Sequence, residues 1–444
     1  MKIVQVLNHF LPQHTAGTEV YVWSLCKHLQ EMGCSTSVLI PNYGSTVSEK
    51  YTYDGIDTFM YAEPSIADRA LITGQKISEG IFFFRQYLED QQPDIVHFHE
   101  ISGSNGISVA HLEVAKALGF KVIFTMHLAG ATCNTGTLMY QQRMLCDGKI
   151  RIAKCSYCSL QRRTNNRFYA SLIAGASLSL YEAGINTLKF NNPAGTILSY
   201  PFQIKSLRDK LKRIAAASDR IIPIADWYKD ILLKNGVNEN KLTLIKQALP
   251  VNSYKQENYA GTVSLPIKLV FIGRIDNLKG ISILIDVVKE FNVTQVLVDI
   301  YGSATDQDFL AACKIKTADH PNIRWMGKIA PAEVLITLRQ YHALVLPSMF
   351  SEMSPLVIQE AFAAGIPVIG SNVYGIAEQV KDGYNGLLFE MGSLRALKKI
   401  LQQLISSPGI LSKLAANVKP PRPFTEVAEE TLNVYRAVSL TPQF

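Results

Sequence analysis

No stretch of about 18 uninterrupted apolar residues occurs in the chain, so a membrane-spanning helix is not expected. The first apolar run, Met1-Lys2-Ile3-Val4-Gln5-Val6-Leu7, is too short for a secretory leader, and no small-residue cleavage site follows it. It reads as a buried strand. Cysteine is scarce, with seven in 444 residues, too few and too clustered for a secreted disulfide scaffold. Neither half carries Gly-x-Gly-x-x-Gly after its first strand, which disfavours hydride transfer, and no Walker A sequence occurs. Internal repeats and low-complexity tracts are likewise missing. Charged residues make up only 18% while apolar residues reach 48%, a balance that excludes disorder and suits a well-buried chain. Lys and Arg outnumber Asp and Glu by 44 to 37, giving a net charge of +7 and a pI near 8.9. So mild an excess favours anionic small molecules or a lipid surface over nucleic acid. The expectation is a soluble, cytoplasmic protein of two large or three small domains.

What is present is an alternation of strands and helices. A strand over 3–7 leads through Ala16-Gly17-Thr18-Glu19 into a helix whose apolar stripe is Val20, Trp23, Leu25, Cys26 and Leu29. Gly33 suits its C-cap, and 36–40 makes the next strand. Strands over 94–98 and 121–126 enclose a helix over 107–118. Such short connections imply right-handed crossovers and a doubly wound sheet. A second series starts at 267–273, with strands at 296–301, 322–326, 343–346, 367–370 and 386–389. Residues 130–200 break the rhythm: rich in Cys, Arg, Asn and Gly, they read as an insertion over the sheet edge without regular strands and with too few apolar residues to order itself. The polar stretch 251–266 reads as a linker, and Lys419-Pro420-Pro421-Arg422-Pro423 interrupts the chain before an amphipathic helix over 425–438. The expected domains are 1–250 (with the insertion at 130–200) and 251–424, with 425–444 returning to the first.

The sharpest chemical feature is Ser351-Glu352-Met353-Ser354-Pro355-Leu356-Val357-Ile358-Gln359-Glu360. Two carboxylates stand eight residues apart, one before a helix and one inside it. Ser354 suits an N-cap and Pro355 the first helical position. At about 1.5 Å rise per residue the carboxylates lie up to roughly 12 Å apart, the span from a sugar to a ribose across a diphosphate. Between them the helix start offers free N–H groups and a positive dipole end to phosphate. The alternative is a buried helix with a solvated polar corner. A second feature is Phe271-Ile272-Gly273-Arg274-Ile275-Asp276-Asn277-Leu278-Lys279-Gly280. Glycine ends the strand, so a ligand can approach the backbone, and Arg274 and Lys279 supply a bidentate and a point cation for phosphate. Taken alone, the two cations could equally be solvated surface groups.

Together, the Glu-x7-Glu segment, the Gly-Arg-x4-Lys-Gly segment and the N-terminal Gly-Thr-Glu loop resemble the retaining glycosyltransferases of GT-B fold, family 4 type. The resemblance spans nearly the whole chain and is strongest over 267–390. It implies an α/β fold of two Rossmann-like doubly wound domains facing each other across a cleft, the first on the acceptor side and the second binding a nucleotide sugar. It places Glu352 at the donor sugar, Glu360 on the ribose hydroxyls, and Arg274 and Lys279 on the departing diphosphate. Gly273, Ser354, Leu356 and Val357 complete the implied nucleotide-binding set; Pro355 has no N–H, so donation to phosphate shifts to Leu356 and Val357. Gly17 matches a glycine-rich loop near donor diphosphate and acceptor, although Ala16 stands where relatives carry a second glycine. His127 matches a histidine at the donor sugar, and His97-Phe98-His99-Glu100 a strand end near the acceptor.

A separate signal is the set Cys133, Cys146, Cys155 and Cys158, with spacings x12, x8 and x2. In a reducing compartment, four thiolates suit a structural Zn²⁺ better than disulfides, the alternative being unrelated thiols in a variable loop. The basic stretch Lys205-Ser206-Leu207-Arg208-Asp209-Lys210-Leu211-Lys212-Arg213 and the run Ile81-Phe82-Phe83-Phe84 could each meet a lipid surface, or be a solvated face and core respectively.

The combined expectation is retaining transfer of a sugar from a nucleoside-diphosphate sugar, a UDP-sugar as first choice, to a saccharide or lipid-linked saccharide acceptor. No catalytic metal is expected. The setting implied is envelope or exopolysaccharide synthesis, with peripheral contact at the inner membrane face. Two alternatives stay open: a nucleotide-sugar epimerase of the same architecture, and a catalytically silent nucleotide-binding regulator.

Overall fold

Strand β1 (Lys2–Val6) is almost wholly buried because it is paired on both edges, parallel to β2 (Ser35–Tyr43) and to β5 (Ile95–Phe98). A strand covered on both faces needs apolar residues throughout, which is why it reads as a continuous run rather than an alternation. The computed structural model describes residues 1–72, 74–102, 105–250 and 263–440. These divide into two units: Met1–Gln141 with Cys146–Pro250 and Phe424–Phe444, and Gln142–Leu145 with Val251–Pro423. The expected linker lies outside the described residues as far as 262.

The sheet of the first unit adds β3 (Glu49–Tyr53), β4 (Ile56–Glu63), β6 (Lys121–Met126) and β7 (Arg220–Pro223), in the order β3-β4-β2-β1-β5-β6-β7. Only β3 is antiparallel. The β3–β4 hairpin is absent from the sequence expectation, yet its signal is there. Asp54-Gly55 joins the strands with both residues at positive φ (47° and 74°), the left-handed pair that a tight hairpin turn requires. Helix α1 (Gly17–Glu31) presents Val22, Leu25 and Leu29 to the same core as Ile3, and the C-terminal helix Phe424–Ser439 adds Phe424, Val427, Tyr435 and Val438.

Residues 130–200 differ from expectation. They contain helices α2 (Ile152–Thr164) and α3 (Arg167–Glu182), a short helix Pro193–Leu198, and the start of α4 (Tyr200–Ala217). Their own core is small, Leu160, Ala170 and Ala174 flanked by Tyr157 and Ile197, so helix-to-helix packing of small residues orders what an apolar count alone would not. In the basic stretch on α4, Lys205 pairs with Asp209 at 2.8 Å and Arg213 with Glu113 at 2.6 Å. Phe82 is exposed whereas Phe84 is buried. Among the described residues no helix is long and apolar enough to cross a membrane.

In the second unit, six parallel strands β8 (Ile267–Ile272), β9 (Val296–Tyr301), β10 (Ile323–Gly327), β11 (Ala343–Leu346), β12 (Val368–Ser371) and β13 (Gly386–Phe389) lie in the order β10-β9-β8-β11-β12-β13. That is the 3-2-1-4-5-6 order of a doubly wound sheet, and the first unit repeats it once its antiparallel edge strand is set aside. Helix α5 (Leu356–Ala363) begins one residue later than expected. Pro355, with ψ at 117°, is its N-cap, so Ser354 stands outside the helix.

Candidate active site

Open α/β sheets bind ligands beyond the carboxyl ends of the strands where strand order reverses. In the second unit that point falls between β8 and β11, and the loops leaving these strands are stitched together there. Gly280, at φ +73°, lies so close to the Pro347 carbonyl that a Cβ would come within 1.8 Å of its oxygen. The Met349 N–H donates to the Leu278 carbonyl at 2.7 Å. Lys279 Nζ then donates to Glu352 Oε1 at 2.7 Å, and the Ser348 hydroxyl donates to the same oxygen at 2.7 Å. Only 18% of the Lys279 side chain and 8% of the Glu352 side chain remain exposed, so the pair is held in a poorly solvated place where its charges act strongly. Lys279 also lies over the Phe350 ring, 5.3 Å from its centre.

Gly273 follows β8 directly, its N–H bonded to the Tyr301 carbonyl at 3.1 Å. A Cβ on Gly302 would sit 1.8 Å from the Gly273 carbonyl oxygen, so two glycines let these neighbouring strand ends approach. Arg274 is exposed, with Asp276 beside it at 3.3 Å. At the start of α5, Leu356 and Val357 head the helix, and Glu360 stands one turn further in, half-buried. Among the described residues Glu360 has no ionic partner, and burial pushes its carboxyl up to about 7. Glu352 and Glu360 thus differ in kind: one is paired and oriented, the other is left to titrate near neutrality.

The first unit has its own reversal between β1 and β5. The Asn8 N–H donates to Glu100 Oε1 at 2.7 Å, and Tyr43 donates to the Asn8 side-chain oxygen at 3.1 Å. Gly17 is the exposed first residue of α1 rather than part of a preceding loop; two residues on, Glu19 is buried and pairs with His14 at 2.6 Å. His127 directly follows β6 and is buried. Its Nε2 meets His99 Nδ1 at 3.1 Å; His99 Nε2 meets Gln5 Oε1 at 2.7 Å. His97 joins the Tyr435 hydroxyl at 2.6 Å and the Thr125 hydroxyl at 2.7 Å. Burial holds His127 down at about 3 and His97 and His99 well below the ordinary histidine value, so all three are neutral at pH 7.

Cys133, Cys146, Cys155 and Cys158 all line one pocket in the first unit. None is in a disulfide. Among the described residues no three His, Cys, Asp or Glu side chains converge on one metal position, so a preformed shell is not seen. Each sulfur is instead turned to local partners, Cys133 to the Thr135 hydroxyl at 3.2 Å and Cys158 to the Met139 carbonyl at 3.6 Å.

Ser348, Asp276, Gln5, His14 and Tyr435 were not among the residues expected from sequence. The first two could have been found from their places, one residue beyond a strand-ending proline and inside the Gly-Arg segment. Gln5 also carried a trace, as a polar residue inside an otherwise apolar strand. Tyr435 had none, because its partners are over 330 positions away.

Comparison with known proteins bears on this geometry. The family "Glycosyl transferases group 1" matches residues 260–420, and "Glycosyltransferase Family 4" matches 15–153. An uncharacterised protein of the cps region of Klebsiella pneumoniae is 24% identical over 42% of this chain and 52% of its own length. The D-inositol 3-phosphate glycosyltransferase of Rhodococcus jostii is 27% identical over 46% of this chain and 49% of its own. The match thus spans about half the length of these curated relatives. Among solved structures, Anabaena HepE in complex with UDP and glucose superposes with a TM-score of 0.61 at 12% identity, covering 99% of this chain and 100% of that one. With one family matched in each unit, and two Rossmann-like sheets of the GT-B kind, the chain belongs to the GT-B glycosyltransferases of family 4 type.

Proposed function

We propose that the protein transfers a sugar from a nucleoside-diphosphate sugar to an acceptor hydroxyl, with retention at the anomeric carbon. The observation that carries this reading is the Lys279–Glu352–Ser348 cluster where the second sheet reverses its strand order. The second unit would hold the donor. Arg274 and Lys279 would neutralise the departing diphosphate, assisted by the N–H groups of Leu356 and Val357, and Glu360 would accept from the ribose hydroxyls. Glu352 would touch the donor sugar near the reacting carbon. Charge develops on the diphosphate as the glycosidic bond breaks, and Lys279, held in a poorly solvated place, would stabilise it with little reorganisation. No second carboxylate is placed as a nucleophile, which favours attack by the acceptor on the face the diphosphate leaves.

The first unit would serve the acceptor, with neutral His127 contributing a hydrogen bond to the donor sugar rather than a charge. UDP is the first choice of nucleotide, supported by the UDP in the Anabaena structure. Envelope polysaccharide synthesis is supported by the relative from a cps region. A zinc on the four cysteines would stand apart from this chemistry, since a closed four-thiolate shell leaves no position for a reacting group. The test is to incubate full-length, EDTA-treated protein with UDP-, GDP- and ADP-sugars, with and without saccharide and lipid-linked acceptors. Transfer or slow hydrolysis of one donor is expected. Failure on every donor counts against the reading, and interconversion of a nucleotide sugar without acceptor would replace it with epimerisation.

A further inference from the structure

We propose that Cys133, Cys146, Cys155 and Cys158 bind one Zn²⁺ and that the ion fastens the chain leaving His127 to helix α2. The four thiols come from three separate stretches of sequence, yet all of them line a single pocket. Cys155 and Cys158 are three apart on α2 and so share a face of that helix. Cys133 follows the short turn Ala129–Ala131, only six residues beyond His127. Cys146 is drawn back beside it through its N–H bond to the Leu138 carbonyl at 2.9 Å.

The backbone around the pocket is aimed at sulfur. The Arg151 N–H points at Cys155 Sγ at 3.5 Å and the Gln141 N–H at Cys158 Sγ at 3.4 Å. A thiol is a weak acceptor, and backbone N–H groups directed at sulfur are the outer-shell partners that orient a metal-bound sulfur. Lys149 and Lys154 line the same pocket; Lys154 and Arg151 both pair with Asp147, at 2.9 and 2.6 Å. These three cations and one carboxylate together leave a positive excess to offset the negative charge of four thiolates around Zn²⁺. Binding displaces four protons to solvent and turns the sulfurs, by rotation about Cα–Cβ, from their local partners toward one centre.

The surroundings need such a fastening. Leu138 and Gln141 are held at positive φ (49° and 54°), a conformation costing side-chain-bearing residues of order 1–3 kcal/mol each, so something must over-determine the loop. Beyond its bonds within 129–137, the 132–135 stretch meets the rest of the unit through Thr132 to Tyr228 at 3.2 Å, Asn134 to Ser159 at 3.2 Å and Arg162 to the Thr135 carbonyl at 2.9 Å. The metal would therefore set the shape of the loop that follows His127 while taking no part in chemistry.

Full-length protein purified without chelator from zinc-supplemented culture should carry about one zinc per chain by mass spectrometry. A mercurial thiol reagent should release that zinc to a colorimetric dye. The Cys155→Ser/Cys158→Ser variant should lose it and be cut by trypsin within 130–200 several-fold faster, whereas Cys34→Ser, between α1 and β2, should keep it. Wild-type protein with an unchanged circular dichroism spectrum but below about 0.1 zinc per chain would overturn the proposal. So would full zinc in the double serine variant, or iron and sulfide in place of zinc. The wild-type measurement stands even if the variant fails to fold.

Discussion

The two units use the same strand order and the same place on the sheet, yet fill that place with opposite chemistry. The second unit sets a charged pair, Lys279 and Glu352, across the two loops leaving its reversal point. The first sets neutral histidines, His97, His99 and His127, in a buried hydrogen-bonded chain. The fold supplies an address at the carboxyl ends of the strands, and the residues placed there decide what it can do. Charge suits a diphosphate; neutral donors and acceptors suit a sugar.

The largest break in that contrast should come from Glu352→Ala. Transfer should fall by about 100-fold or more while nucleotide binding, read by calorimetry, stays nearly intact. Glu360→Ala should do the reverse. Losing hydrogen bonds to a charged acceptor, worth about 1.5–3 kcal/mol, should weaken nucleotide binding by roughly 10- to 100-fold. Equal losses of nucleotide affinity in both variants would erase the difference between the two carboxylates.

Gly280→Ala tests the stitching of the two loops. A Cβ there meets the Pro347 carbonyl at 1.8 Å on a backbone at φ +73°, and the variant should lose well over about 1 kcal/mol of stability in urea unfolding.

Acid and base should act on the units with opposite sign. His127 is held at about 3 in the folded first unit against an ordinary value of 6.5. Between those values the unfolded chain binds more protons than the folded one, so stability contributed above pH 6.5 is lost as pH falls toward 3. His97 and His99 act in the same direction. Glu360 is raised from 4.5 to about 7, so the folded second unit binds more protons across that window. The stability it contributes is full below pH 4.5 and is lost as pH rises through 7. Because a ribose donates to the carboxylate form, nucleotide affinity should rise across pH 7, an increase that Glu360→Gln should abolish.

The substitution expected to leave function least changed is Tyr435→Phe. It removes the hydroxyl bonded to His97 at 2.6 Å and to Gln5 at 3.3 Å, and should cost about 1–3 kcal/mol of stability with nucleotide binding unchanged.

Strand and helix order was legible because fully buried parallel strands read as apolar runs and their helices as stripes, as in 267–272 and around Val22, Leu25 and Leu29. The β3–β4 hairpin leaves only a local trace in the sequence, the Asp54-Gly55 pair at positive φ. In the insertion, small residues such as Ala170 and Ala174 pack helices without a high apolar count. The sequence pattern places the start of α5 one residue early, because Ser354 suits an N-cap and Pro355 a first helical position while the helix begins at Leu356.

By itself the sequence determined the α/β class, the two series of strands and the residue types at the strand ends, since periodicity, glycine and charge act locally along the chain. Tertiary structure alone decided that Lys279 and Ser348 share one oxygen of Glu352, that Tyr435 reaches His97 from over 330 residues away, and that four cysteines share a pocket. Those pairings arise where crossovers bring distant strand ends side by side, and no local pattern records which distant loop will lie opposite.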